Sequence, residues 1–257
     1  MVCIPSKPLC LLLLGIVSLA IRPDALPIIS QPERMNALPR RTLWVWERPE
    51  DLRSIDSRTT AIAVLERTIV LGHSATLIPR RQPFIYPAGA KRIAVVRIEA
   101  PGTIDPSLEE PTAGLILDTL SGSPAAALQI DFDARRSQQA FYAALLRDVR
   151  RHMPPGLPLS ITALASWCSS DDWLRGLPVD EAVPMFFRME PDRRYASLDA
   201  PQFQIREPLC MSSIGISTHE PRPVSLAGKR IYIFPDRGWH EDLPLLAEGN
   251  LAQRIQP

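Results

Sequence analysis

Two carboxylates carry the strongest chemical signal in the chain: Asp131 and Asp133, in A-A-A-L-Q-I-D-F-D-A at residues 125–134. The run is apolar and extended in character. Residues two apart on a strand share a face, so Asp131, Asp133 and Gln129 look the same way. Carboxylates held close repel, and one then keeps its proton more tightly. That separates an acid from a base, the division of labour of glycosidic-bond hydrolysis. The plainer use of the same pair is structural. Asp133 would open a helix, and Asp131 would satisfy backbone groups or an arginine.

Other chemistry-bearing residues also end apolar runs. Glu47 closes L-W-V-W-E, beside Trp44 and Trp46. Glu99 closes V-V-R-I-E, Trp167 follows T-A-L-A-S, and Arg188 ends P-M-F-F-R. Asp236 and Trp239 follow I-F-P. Trp46, Trp167 and Trp239 offer flat faces for sugar rings, although a tryptophan serves a core equally well. Glu47, Glu99, Gln129 and Arg188 complete the expected binding set. An arginine such as Arg188 beside the pair would keep a carboxylate ionised.

Competing chemistries are weaker. His73, His152, His219 and His240 have no metal-ligand spacing, so no metal is expected. No glycine-rich phosphate loop follows a strand, and no organic cofactor is implied. Gly72-His73-Ser74-Ala75-Thr76 resembles half of a nucleophile elbow but lacks the second glycine.

The elements that must position these residues are legible as apolar runs. There are eight: Leu43–Glu47, Thr60–Leu65, Ile93–Ile98, Ala127–Asp133, Leu159–Ala165, Ala182–Arg188, Ser213–Ser217 and Ile231–Pro235. Most are continuous rather than alternating, as in strands buried on both faces of a parallel sheet. Helices are expected at Pro49–Asp56, Leu108–Leu120 and Ser137–His152. In the last, Ser137 is the N-cap, Phe141, Leu145, Leu146 and Val149 form one face, and Arg147, Arg150 and Arg151 favour the final turn. Glu66–Leu71 reads as a hairpin return. Links after residue 190 leave little room for full helices. The fold expected is α/β: a TIM-like (β/α)8 barrel, distorted and with some helices missing. An open doubly wound sheet is the rival.

Bulk properties set the remaining bounds. Of 257 residues, 29 are Lys or Arg and 28 are Asp or Glu, a balance that argues against a nucleic-acid partner. Leu9–Ile21 is an apolar run after Lys7, the right length for a secretory signal and short for a membrane span. Ser18 and Ala20 fit a cleavage point. The expected organisation is a signal peptide at 1–20, a proline-rich linker at 21–40 and a single barrel domain at 41–257. The protein would then be periplasmic or secreted, with no later membrane span. An uncleaved N-terminal anchor is the alternative. Removing the signal leaves Cys168 and Cys210, which either pair in an oxidising compartment or stay as separate buried thiols.

The stretch from L-Q-I-D-F-D-A through L-S-I-T-A-L-A-S-W-C to D-E-A-V-P-M-F-F-R-M, with W-V-W-E before it and S-I-G-I-S-T-H-E-P after, resembles an uncharacterised family of exported bacterial proteins, a domain of unknown function. More distantly, the chain is similar to chitinase-like glycoside hydrolases. Their fourth strand ends in D-x-x-D-x-D-x-E and their sixth in M-x-Y-D. The likeness admits two registers. In one, Asp131 and Asp133 match the last two aspartates, and Arg135 replaces the catalytic glutamate. In the other, Gln129 and Asp131 match those aspartates, and Asp133 stands for the glutamate. Phe187 replaces the tyrosine and Arg188 the aspartate.

The leading expectation is an exported glycoside hydrolase-like protein acting on a polysaccharide, with Asp133 as acid and Asp131 as its partner. A non-catalytic module that binds cell-envelope glycan is the alternative. A structural periplasmic protein, with its acidic pair saturated by arginines, is the third reading.

Overall fold

The structure is a computed structural model that describes residues 31–122, 124–169, 171–187, 204–220 and 226–247. The segment read as a signal peptide and the first half of the linker lie outside the described residues, as does Arg188. The first described element is the short helix α1 (Gln31–Met35), in the second half of the stretch read as linker.

Eight parallel strands close into a barrel in chain order: β1 (Arg41–Val45), β3 (Thr60–Leu71), β6 (Arg92–Glu99), β7 (Ala127–Asp131), β8 (Leu159–Leu164), β9 (Glu181–Met185), β10 (Ser213–Ser217) and β11 (Arg230–Phe234). β1 pairs with both β11 and β3, which seals the circle and excludes the open sheet. All eight expected runs are barrel strands. Their inward residues alternate with outward ones, and both sets are buried because helices or loops cover the outside.

Among the described residues, the helical layer is incomplete. α2 (Glu109–Leu117) follows β6, α3 (Gln139–His152) follows β7, the short α4 (Ala165–Ser169) follows β8, and α5 (Trp239–Ala247) follows β11. The helix expected at Pro49–Asp56 is absent. That stretch holds β2 (Glu50–Asp51), which pairs with β5 (Phe84–Ile85). Asp51 Oδ1 accepts from Arg53 N at 3.1 Å and Asp56 Oδ1 from Arg58 N at 3.0 Å, so both aspartates build turns in competition with a helix.

Ser137 is not the cap of α3. The chain enters through a 3-10 turn at Arg136–Gln138, and Gln138 organises it. Its Oε1 accepts from Arg135 N at 2.9 Å, and its Nε2 donates to the carbonyls of Ala100 and Gly102. Tyr142 is buried on the packed face, where Phe141 is only half-buried.

Glu66–Leu71 is not a return strand either. β3 continues through it, with a register break between Leu65 and Arg67 where it pairs with β6. The return is β4 (Ala75–Pro79), antiparallel to the far half of β3. Of the half-elbow motif, residues 72–74 form this exposed hairpin turn, and Ala75 and Thr76 open β4.

Past Val64, β3 no longer pairs with β1. Arg80 bridges the parting strands. Its Nη1 donates to the carbonyls of Trp46 at 2.7 Å and Leu65 at 3.2 Å, and its Nη2 to that of Arg48 at 2.6 Å.

The barrel interior is partly polar. Trp44 Nε1 donates to Gln129 Oε1 at 2.8 Å, Gln129 Nε2 to Ser160 Oγ at 3.1 Å, and Ser160 Oγ to Glu181 Oε1 at 3.2 Å. Tyr232 OH donates to the same Glu181 oxygen at 2.5 Å, and Arg230 Nε lies 3.4 Å from Glu181 Oε2. Arg230 also donates to the carbonyls of Met35, Leu38 and Pro39. The 31–40 segment thus covers the N-terminal end, with Met35 and Leu38 buried against the inner cluster.

Candidate functional site

The C-terminal end of β7 places Asp131 inward at the top of the barrel. Asp131 pairs in register with Arg97 of β6. Ile130 pairs with Ile161 of β8, so Thr162 stands level with Asp131 on the other side. Thr162 Oγ1 donates to Asp131 Oδ1 at 2.7 Å, and Arg97 Nη1 lies 3.5 Å from Asp131 Oδ2. Arg97 Nε in turn donates to Glu99 Oε1 at 3.1 Å.

Asp131 is 6% exposed. Burial and the neighbouring Asp133 charge push its carboxyl up from 3.8 to about 6, against the pull of Arg97 and Thr162. Asp133 is exposed one pleat above. Partial loss of water at the rim raises its carboxyl too, and Arg97 opposes the rise. The expected pair therefore exists at a barrel mouth, with unequal surroundings for its two members.

Trp46 forms an aromatic wall at the same end. It is half-buried and leans on Trp44 with ring centroids 4.3 Å apart. Phe234 lies 6.2 Å from Trp46, and Phe187 lies 4.6 Å from Phe234.

The other expected contacts separate. Glu99 sits exposed at the rim, tied to Arg97. Glu47 is taken up by the link between β4 and β5: its Oε1 accepts from Arg81 N and Gln82 N at 2.8 and 3.0 Å. Gln129 is fully buried between Trp44 and Ser160, below the mouth. Trp167 is 3% exposed and packs edge-on against Trp173. Trp239 is fully buried, and its Nε1 donates to the Trp44 carbonyl at 2.8 Å. Neither Trp167 nor Trp239 can offer a face to a sugar, because both went to the core. Arg135 is committed to the chain just after β6, where it donates to the carbonyls of Ala100 and Pro101.

Cys168 and Cys210 form a disulfide, joining α4 to the turn before β10. His219 Nε2 lies 2.8 Å from Asp242 Oδ1, while Asp242 Oδ2 accepts from Thr218 Oγ1 and Asp236 N, so this group latches α5 to the ends of β10 and β11. Among the described residues, no three His, Cys, Asp or Glu side chains gather to hold a metal ion, and no helix is long and apolar enough to cross a membrane.

Sequence reasoning missed Arg97, Thr162 and Glu181. Arg97 and Thr162 sit inside apolar runs and Glu181 just before one, and only the pleat says that each side chain points inward. The alternation was available at Arg97, two residues before Glu99.

Residues 89–189 match a family described as a domain of unknown function, DUF3142. They include β6 to β9 and therefore Arg97, Asp131, Asp133 and Thr162. No curated protein matches the chain. Among solved structures, the chitinase domain of the spore coat protein CotE from Clostridium difficile matches with a TM-score of 0.42 and 14% identity, over 67% of this chain and 57% of that one. The present chain thus spans little more than half of that domain's chain.

Proposed function

We propose that the protein is an exported glycoside hydrolase that cleaves a polysaccharide at the C-terminal mouth of its barrel, with Asp133 as general acid and Asp131 as its charged partner. The observation that carries this reading is the stacked pair on β7. Asp131 is buried and raised to about 6, and Asp133 stands open above it. Coupled carboxyls titrate as a pair, and this pair gains a proton as pH falls through about 6. Asp133 is placed to give that proton to the glycosidic oxygen as the C–O bond breaks. Asp131, then ionised, stabilises positive charge on the sugar; water adds at the anomeric carbon and gives its proton to the carboxylate pair, which restores the acid. Of the two registers, this is the one in which Gln129 and Asp131 stand for the aspartates and Asp133 for the glutamate. The commitment of Arg135 to the carbonyls of Ala100 and Pro101 supports it.

The test is release of reducing ends by purified residues 21–257 from a panel of envelope and biofilm polysaccharides. Asp133→Asn should lower the rate by about 10²-fold or more. Wild-type kcat/KM should fall as pH rises above about 6. A wild type silent on every polysaccharide would overturn the hydrolase reading. The half-buried rings of Trp46 and Phe187, backed by the buried Phe234, support a second reading, a glycan-binding module, which predicts retention on a glycan column without hydrolysis. Export is tested separately by N-terminal sequencing of protein recovered outside the cytoplasm, which should begin after Ala20.

A further inference from the structure

We infer that Arg97 and Thr162 are the positioning residues of the carboxylate pair, clamping Asp131 from the two neighbouring strands so that Asp133 alone is left free to meet a substrate. The inference rests on the reading that the pair is the reacting group. Three adjacent strands each contribute one inward side chain at one level: Arg97 from β6, Asp131 from β7, Thr162 from β8. Each oxygen of Asp131 has its own partner, Thr162 Oγ1 at 2.7 Å and Arg97 Nη1 at 3.5 Å. A carboxylate held at both oxygens by groups on separate strands has a fixed plane. Its position is set by the barrel ladder and not by a loop.

Arg97 is itself restrained. Its Nε is committed to Glu99 Oε1 at 3.1 Å, which turns another edge of the guanidinium toward Asp131. The charges then alternate along the rim: Glu99 negative, Arg97 positive, Asp131 negative, with Asp133 above. Glu99 limits how far Arg97 can neutralise the pair. Burial and the Asp133 charge outweigh Arg97 at Asp131, and that leaves room for a shared proton. Tyr142 of α3 also lies near the pair, a buried phenol whose ionisation is suppressed by burial and by both aspartates. It is neutral throughout the working range.

The clamp is tested without any substrate, by following the side-chain carboxyl carbons of Asp131 and Asp133 in NMR titrations of the purified protein. In Arg97→Gln both aspartate midpoints should move up, that of Asp131 by about one pH unit, the effect of removing a nearby opposite charge. Arg97→Lys keeps the charge and should recover most of the shift. Thr162→Val should raise Asp131 and leave Asp133 where it was, whereas Thr162→Ser should restore the wild-type value. Amide spectra establish that each variant is folded. Unmoved Asp131 midpoints in folded Arg97→Gln and Thr162→Val would overturn the clamp. This readout is independent of hydrolysis. Shifted midpoints in a protein that cleaves nothing leave the clamp standing and remove the hydrolase reading. Hydrolysis with unmoved midpoints does the reverse.

Discussion

Asp131 is ionised at neutral pH against the preference of its surroundings. Its folded value is about 6 and its ordinary value 3.8, so the folded state binds the proton more tightly. The contribution of Asp131 to stability is therefore complete below about pH 4 and is lost as pH rises through 6. At roughly 1.4 kcal/mol per pH unit, the loss is about 3 kcal/mol. Asp131→Asn can still accept from Thr162 but cannot ionise. Urea unfolding across pH 4–7 should show a falling limb in the wild type that flattens in this variant. A limb of equal slope in both would assign the cost to another group. At this scale the sequence was half legible. Two aspartates at a strand end announce themselves by type. Arg97 and Thr162 do not, because an isolated polar residue in an apolar run reveals its role only when its neighbours across the ladder are known. The tryptophans misled for a related reason. Indole buries as well as it stacks, and sequence cannot tell whether Trp239 faces a core or a mouth.

Strands were the most legible elements and short connections the least. Continuous apolar runs have few alternatives in a barrel, and all eight were found. The link at 46–59 failed because local hydrogen bonds from Asp51 and Asp56 override weak helical patterning. The extension of β3 was missed because a bulge at Glu66 changes which face each later residue meets. Thereafter Ile69 and Leu71 join the outer cluster beneath α2 and α3. Where β3 leaves β1, Arg80 replaces lost strand pairing with three bonds to carbonyls from one planar group. Arg80→Lys cannot reproduce that fork. It should cost about 1–3 kcal/mol, the usual penalty for buried acceptors left without donors. Chemical denaturation checks this, and Arg80→Lys at wild-type stability would show the seam to be held by other contacts.

At the scale of the whole barrel, the described residues put the Asp131 and Asp133 pair at the C-terminal end. Residues 31–40 cover the other, held by Arg230, whose guanidinium reaches three carbonyls of that segment while facing Glu181 inside. Burial raises the Glu181 carboxyl, and Arg230 and Tyr232 draw it down. Arg230→Gln removes the counter-charge and should destabilise by about 3–5 kcal/mol, the cost of a buried ion left alone. Adding Glu181→Gln should return part of that loss, which a double-mutant cycle of unfolding free energies measures. Strict additivity would mean that the two side chains do not act as a pair.

All five tryptophans have places in this packing, and none is exposed. Trp44 and Trp46 lie along the barrel axis, Trp167 and Trp173 pack on each other outside it, and Trp239 seals the base of α5. The protein consequently carries its own optical gauge. Emission should begin blue and shift red as the structure opens, without an added dye. A single sigmoid would mean that lumen and outer layer come apart together. Two steps would mean that the shell loosens while the staves still hold.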